Sequence, residues 1–169
     1  MNQYEEICKD MGLRAKAAAF ELAQLDQGTL DAALLAIADA VEAQTDEIMA
    51  ANKQDLDKSG DYNVPQTMID RLTLTPNRIA QMAEGVRQVA ALDSPVGSVM
   101  ETITRPNGLT IEKRAVPFGV IGIIFEARPN VTIDAGVLCL KTANATILRG
   151  GKEAFHTNQI TFVYCSFCK

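Results

Sequence analysis

Residues 117–154 constrain what this chain can fold into more than any other stretch. Val120-Ile121-Gly122-Ile123-Ile124-Phe125 is a continuous apolar run rich in β-branched side chains, the pattern of a strand buried on both faces. Polar Glu126, Arg128, Pro129 and Asn130 follow at once. A helix-compatible stretch comes next, with Val131, Val137, Leu138 and Leu140 apolar and Asn130 or Thr132 placed to cap it. Asn144 suits a turn, and residues 145–148 read as a second short strand. Strand, helix and strand in this order predict a βαβ unit over 119–149, with a parallel pair and a right-handed crossover.

The preceding residues have a different period. Tyr4, Ile7, Met11, Ala15, Ala18, Leu22 and Leu25 recur at steps of three and four and make one apolar stripe, which is ordinarily core packing. Thr29 is placed to cap a second helix carrying Leu30, Ala33, Leu34, Ile37 and Val41 inward. A third helix runs from near Thr45 to Leu56 and ends at Ser59-Gly60. Thr75-Pro76 opens a further one that buries Ile79, Met82, Val86 and Val89, with proline at the first helical position where its missing N–H does no harm. Helices thus fill 3–92. From Ser94 the pattern alternates. Pro106 and Gly108 fit the second and fourth positions of a type I turn, so 99–116 reads as a hairpin. Its strands serve either as a plain edge ribbon or as a contact with another subunit.

Composition excludes several function classes. The 16 basic residues are outnumbered by 21 acidic ones, for a net charge of -5, and no basic stripe of the kind that binds a phosphate backbone is visible. The longest apolar run, 116–125, is about half of the roughly twenty residues a membrane-spanning helix needs. The first residues lack the basic start and apolar run of a secretion signal. Cys8, Cys139, Cys165 and Cys168 follow no disulfide framework, which points to a reducing cytoplasm.

In a parallel sheet, ligands collect beyond the carboxyl ends of the strands. One such end carries 125–130 and leads into a helix N-terminus, a natural place for an anion. The other is Arg149-Gly150-Gly151-Lys152. Paired glycines admit close approach to the backbone, and the flanking cations offer charge-assisted bonds to phosphate. The same residues also suit a plain strand-exit turn with solvated cations, and the pattern alone leaves both readings open. No Walker motif or G-x-G-x-x-G is present. Cys139 falls on the apolar side of its helix, as a small core residue would. His156 with Cys165 and Cys168 supplies three metal ligands without a fourth, a poor zinc set, and the Cys-x-x-Cys pair lacks the context of a redox site.

Three blocks carry a resemblance: Arg105-Pro106-Asn107-Gly108-Leu109, then Val116 through Thr132 with its Glu126-Ala127-Arg128-Pro129-Asn130 core, then Ile147-Leu148-Arg149-Gly150-Gly151-Lys152-Glu153-Ala154. Together with Ala51-Asn52-Lys53-Gln54-Asp55-Leu56 and 82–89, they resemble the γ-glutamyl phosphate reductase (glutamate-5-semialdehyde dehydrogenase) family of the aldehyde dehydrogenase superfamily. The implied fold is α/β: N-terminal helices, a hairpin and the start of a Rossmann-like parallel sheet, incomplete here. The implied activity is NADPH-dependent reduction of γ-glutamyl phosphate to glutamate 5-semialdehyde and phosphate, a step of proline biosynthesis. In it a cysteine thiolate attacks the acyl phosphate and hydride from NADPH reduces the resulting thioester. By the same resemblance Phe125, Glu126, Arg149, Gly150, Gly151 and Lys152 fall at the cofactor. Arg128 and Asn130 fall at the substrate or oxyanion, and no metal is implied. Arg149 stands where most of the superfamily has lysine, which suits a 2′-phosphate.

Two departures qualify this. Ala143 replaces the usual glycine before Asn144, removing an easy helix C-cap. The family enzyme is more than twice as long, and no cysteine here matches its nucleophile. The resemblance covers 1–159; the aromatic-rich 160–169 looks foreign, as a frameshift would produce, and suits no surface helix. The expectation is therefore the N-terminal part of a stand-alone reductase, with no kinase fused ahead of it and inactive alone. The alternatives are a non-catalytic partner of full-length subunits, or a metal or redox module on the last cysteines.

Overall fold

The computed structural model describes residues 2–62 and 65–165. Five helices come first: α1 (Gln3–Leu22), α2 (Gln27–Ala43), α3 (Thr45–Asp57), α4 (Gln66–Leu72) and α5 (Pro76–Ala91). A hairpin of β1 (Val99–Thr104) and β2 (Thr110–Arg114) follows, then β3 (Val120–Ile124), α6 (Pro129–Lys141), β4 (Ala145–Arg149) and α7 (Phe155–Cys165). The α/β class and the order of helices, hairpin and parallel pair agree with the sequence. Helix α4 had no counterpart in the periodicity.

Local chemistry starts most of these elements. Asn2 accepts from the Tyr4 N–H while Glu5 reaches back to the Asn2 N–H, satisfying two orphan donors of α1. Asp26, not Thr29, caps α2: its carboxylate accepts the Thr29 N–H at 2.8 Å, and Thr29 lies inside the helix. Thr75 caps α5 with Pro76 at its first position, accepting the Arg78 N–H.

Leu34, Ile37 and Val41 of α2, Ile48 of α3, Ile79, Met82 and Val86 of α5, and Ile133 and Val137 of α6 form one buried core. Each such side chain contributes roughly 1.5–3 kcal/mol. Ile160 of α7 packs at its margin. A polar network stitches α7 to α3, where the Asn52 amide donates to the Thr157 hydroxyl at 3.3 Å. Asn52, 1% exposed, donates to the Leu72 carbonyl and accepts the Leu74 N–H.

The stripe on α1 is a correction. The helix lies against β4 and β3, but only Ala19 is buried, and Tyr4, Ile7, Met11 and Leu25 are exposed. A second correction concerns β3. It pairs in parallel with β4, Val120 opposite Ala145 and Ile124 opposite Arg149. Its residues nonetheless alternate between exposed and half-buried, because the sheet has two strands here. A strand can read as doubly buried only when neighbours cover both faces.

Arg128 occupies the N-cap of α6 without a side-chain bond, and Pro129 opens the helix. Asn130 and Thr132, expected as caps, sit inside it. At the far end the Asn144 N–H reaches the Cys139 carbonyl and the Ala143 N–H the Leu140 carbonyl, the paired bonds of a Schellman motif. Ala143 takes the left-handed position at φ 55°. Asn144 then accepts the Gly119 N–H, tying the turn to the start of β3.

In the hairpin the Gly108 N–H bonds the Arg105 carbonyl, and Gly108 adopts φ 83°, which closes the expected turn. Helix α7 runs through residue 160 to Cys165 without a break. Thr157 and Thr161, one turn apart, are buried while Phe155, Gln159 and Phe162 are exposed, so the helix continues one-sided into residues expected to suit no surface helix. Residues 166–169, including Cys168 of the suggested metal or redox group, lie outside the described residues. No described helix is long and apolar enough to cross a membrane.

Candidate functional site

The two strand ends meet. The Phe125 N–H donates to the Arg149 carbonyl at 3.0 Å, one step beyond the β3–β4 ladder. The Gly150-Gly151 turn then lies directly on residues 125–127. A methyl group at Gly150 would overlap the Asn158 amide and sit 3.1 Å from Phe125 Cε2. One at Gly151 would sit 3.2 Å from the Ala127 nitrogen. These glycines therefore let the chain approach itself, locking the two loops into one ledge.

On this ledge Phe125, Gly150 and Gly151 are half-buried, while Glu126, Arg149 and Lys152 are exposed. Lys152 Nζ lies 4.6 Å from the centre of the Tyr62 ring, a cation–π contact. The Arg149 guanidinium has no hydrogen bond or ion pair among the described residues.

Arg128 and Asn130 go elsewhere. They line a cleft of about 460 Å³ between α4, α5 and the start of α6, together with Asp70, Arg71, Arg78 and Asp134. Arg78 is fully engaged: one nitrogen donates to the Asp70 and Thr73 carbonyls and another faces the Asp70 carboxylate at 3.4 Å. Asn130 Nδ2 donates to Asp134 at 2.9 Å. Asp134 is exposed at the mouth of the cleft, yet partial loss of hydration there raises its carboxyl pKa from the ordinary value, against the lowering effect of that bond. Arg71 and Arg128 make no side-chain bond among the described residues. The six sequence-derived cofactor residues thus share one ledge, and the two substrate candidates open onto a neighbouring cleft.

Asp70, Arg71, Arg78 and Asp134 of the cleft, and Tyr62 and Asn158 at the ledge, were not anticipated. Asp134 was within reach, four positions after Asn130 on one helix face. Arg71 belongs to the helix that periodicity did not show. Tyr62 and Asn158 come close only through the tertiary fold. Asn158 accepts the Thr132 hydroxyl at 2.9 Å, which aims its amide at Gly150.

Cys139 is 6% exposed on the core side of α6, as its position in the sequence suggested. His156 faces the Asp55 carboxylate at 2.8 Å, with Lys58 on its other nitrogen. Among the described residues no group of three His, Cys, Asp or Glu converges.

Comparison with known proteins identifies the relatives. The chain is 50% identical over 153 residues to the γ-glutamyl phosphate reductase of Salmonella agona, covering 90% of this chain and 37% of that enzyme. It is 53% identical over 145 residues to that of Opitutus terrae, covering 86% and 34%. The crystal structure of the Thermotoga maritima γ-glutamyl phosphate reductase superposes with a TM-score of 0.86 at 34% identity, covering 89% of this chain and 36% of that one. The Saccharomyces cerevisiae enzyme gives 0.88 at 31%, covering 98% and 41%. A probable aldehyde dehydrogenase from Listeria monocytogenes, 17% identical with a TM-score of 0.64, shares the fold. No family model matches the chain. The chain spans about a third of the length of the curated relatives it matches, 37% and 34% in the two cases above.

Proposed function

We propose that this chain, a homologue of the γ-glutamyl phosphate reductases with the N-terminal part of their fold, forms the nucleotide-side portion of an enzyme that reduces γ-glutamyl phosphate to glutamate 5-semialdehyde with NADPH. The observation that carries this reading is the single ledge at the carboxyl ends of β3 and β4, where such sheets bind nucleotides. Arg149 stands at its edge as an exposed cation with no partner among the described residues. A guanidinium so placed fits the 2′-phosphate of NADP, with Lys152 held beside it over Tyr62. When bound, the cofactor supplies hydride. The chain's own share is to seat the adenosine end on Gly150-Gly151 and to present Phe125 and Glu126 toward the reacting end.

The reaction also needs a nucleophilic thiolate. Cys139 is buried, Cys8 lies exposed on α1, and neither lines the cleft. On this reading, neither of these two cysteines supplies it and the chain alone does not turn over. The deciding assay is the reverse reaction, with glutamate 5-semialdehyde, phosphate and NADP, on the purified chain. No turnover alone, restored by supplying the remaining reductase sequence in frame, supports the reading. Turnover by this chain alone overturns it, and Cys139 is then the first residue to replace. On the cofactor, Arg149→Ala is expected to reduce the preference for NADPH over NADH about tenfold.

One further feature favours assembly with a second copy. The hairpin is exposed along its whole length, including Val99, Met100, Ile103, Leu109 and Ile111, an apolar ribbon suited to a subunit contact.

A further inference from the structure

We propose that the cleft between α4, α5 and α6 recognises the α-amino-acid end of the substrate, with Arg71 and Arg128 holding the carboxylate and Asp134 the ammonium. The identity of the ligand rests on the reductase reading; the position rests on the cleft alone.

Three arginines line this cleft, and their states differ. Arg78 is fixed by two carbonyls and a carboxylate, so it shapes the wall. Arg71, from the last turn of α4, and Arg128, from the N-cap of α6, open onto the same recess; the Asp70 carboxylate there faces Arg78 at 3.4 Å, and neither of the other two guanidiniums has a hydrogen bond among the described residues. Guanidiniums with donors to spare favour capture of an anion, and the planar donor fork of arginine matches a carboxylate.

A nucleotide phosphate would call for cations only. Here the opposite sign is also present. Asp134 is one helical turn into α6, is exposed at the mouth of the cleft and is oriented by Asn130; the protein around it still removes part of its hydration, which raises its carboxyl pKa. An ammonium beside it would offset that loss. Leu74 and Met82 line the same recess and suit a short methylene chain. Cations, one carboxylate and an apolar stretch together match a zwitterion with a hydrocarbon tail.

The test uses the purified chain and L-glutamate 5-methyl ester, which keeps the zwitterion and neutralises the far end. Monomethyl glutarate lacks the ammonium, and methyl 4-aminobutanoate lacks the carboxylate. Saturable, millimolar binding of the ester by NMR titration is expected, with each analogue about tenfold or more weaker. Arg71→Gln and Arg128→Gln should each weaken the ester about tenfold, with Arg71→Lys intermediate. Asp134→Asn should weaken the ester but leave monomethyl glutarate unchanged. Arg71 and Arg128 are exposed and bond nothing among the described residues, so these variants should keep the circular dichroism of the parent. Failure of the ester to saturate, equal binding of all three probes, or indifference to Arg71→Gln overturns the proposal. NADPH titration of the same samples separates the two readings: NADPH binding without ester binding removes this inference alone, and the converse removes the cofactor ledge alone.

Discussion

Asp55 and Thr157 are joined twice: the Asp55 carboxylate accepts the Thr157 backbone N–H at 2.8 Å and its hydroxyl at 2.6 Å. The other carboxylate oxygen accepts the His156 N–H at 3.0 Å and meets the imidazole at 2.8 Å. A residue of α3 thereby supplies the N-terminal cap that α7 lacks in its own sequence, and does so at 2% exposure. Through Thr132 and Asn158, α7 in turn backs the Gly150 turn, so this bond stands behind the ledge.

Asp55→Ala should therefore cost about 2–4 kcal/mol, since it strands several buried donors as well as removing a cap. Asp55→Asn should recover only part, because an amide nitrogen would face N–H donors. Urea unfolding of the three proteins checks this. A loss under about 1 kcal/mol for the alanine variant would show that water satisfies α7 instead.

Much of this was legible in the sequence where the signal is local. The Thr75-Pro76 start, the Gly108 turn and the strand–helix–strand order follow from residue types over a few positions. Burial was less legible, because it depends on neighbours. The α1 stripe and the apolar β3 run are correct as patterns, yet Tyr4 is 73% and Ile124 81% exposed, since no described residue covers them. The site divided likewise. Residues at the two strand ends were found by topology, but Arg71, Tyr62 and Asn158 reach it from elements whose placement only tertiary packing decides.

Lys141 is the one buried lysine among the described residues, at 3% exposure, and its ammonium bonds Asp31 at 2.6 Å and the Ala90 carbonyl at 2.7 Å. Removing only the carboxylate leaves a buried charge, so Asp31→Ala should cost about 2–3 kcal/mol, while Lys141→Met, which removes the charge, should cost less than about 1. Partial burial raises the Asp31 pKa, but bonds from Lys141 and Gln27 outweigh it, and the folded value is lowered. The stabilisation is then complete above the unfolded pKa of about 3.9 and lost as pH falls through the lower folded value. Asp31→Asn should remove that acid segment of the stability curve; an unchanged acid limb would refute the assignment.

Ala143 holds a left-handed conformation at φ 55° that costs an L-residue with a Cβ roughly 1–2 kcal/mol. Ala143→Gly relieves this but gives up a buried methyl and adds backbone freedom to the unfolded chain. A net gain of up to about 1 kcal/mol is expected, seen as a raised Tm at unchanged helix content. A lowered Tm would mean the methyl, 3% exposed, matters more than the strain.

Gly150→Ala puts a methyl group into Asn158 and close to Phe125, so about 1–3 kcal/mol should be lost. Asn158→Ala alone should also destabilise, by stranding the buried Thr132 hydroxyl. The double variant should be better than the sum of the two, because shortening Asn158 makes room for the methyl. Additive losses in this cycle would show that Phe125, not Asn158, sets the limit.

Asp134 runs opposite to Asp31. Its folded pKa is raised, by burial first, with the Asn130 bond opposing. The folded state then binds a proton more tightly than the unfolded one, so stability falls as pH rises from about 3.9 through the folded value. Asp134→Asn keeps an acceptor for Asn130 and carries no charge, so it should raise Tm at neutral pH, with the gap closing below about pH 4. The same substitution should weaken binding of L-glutamate 5-methyl ester. A carboxylate that costs stability while empty and improves binding when an ammonium arrives is what a recognition group does. If Asp134→Asn leaves Tm unchanged at neutral pH, the cleft does not desolvate Asp134. The ammonium then has no penalty to relieve.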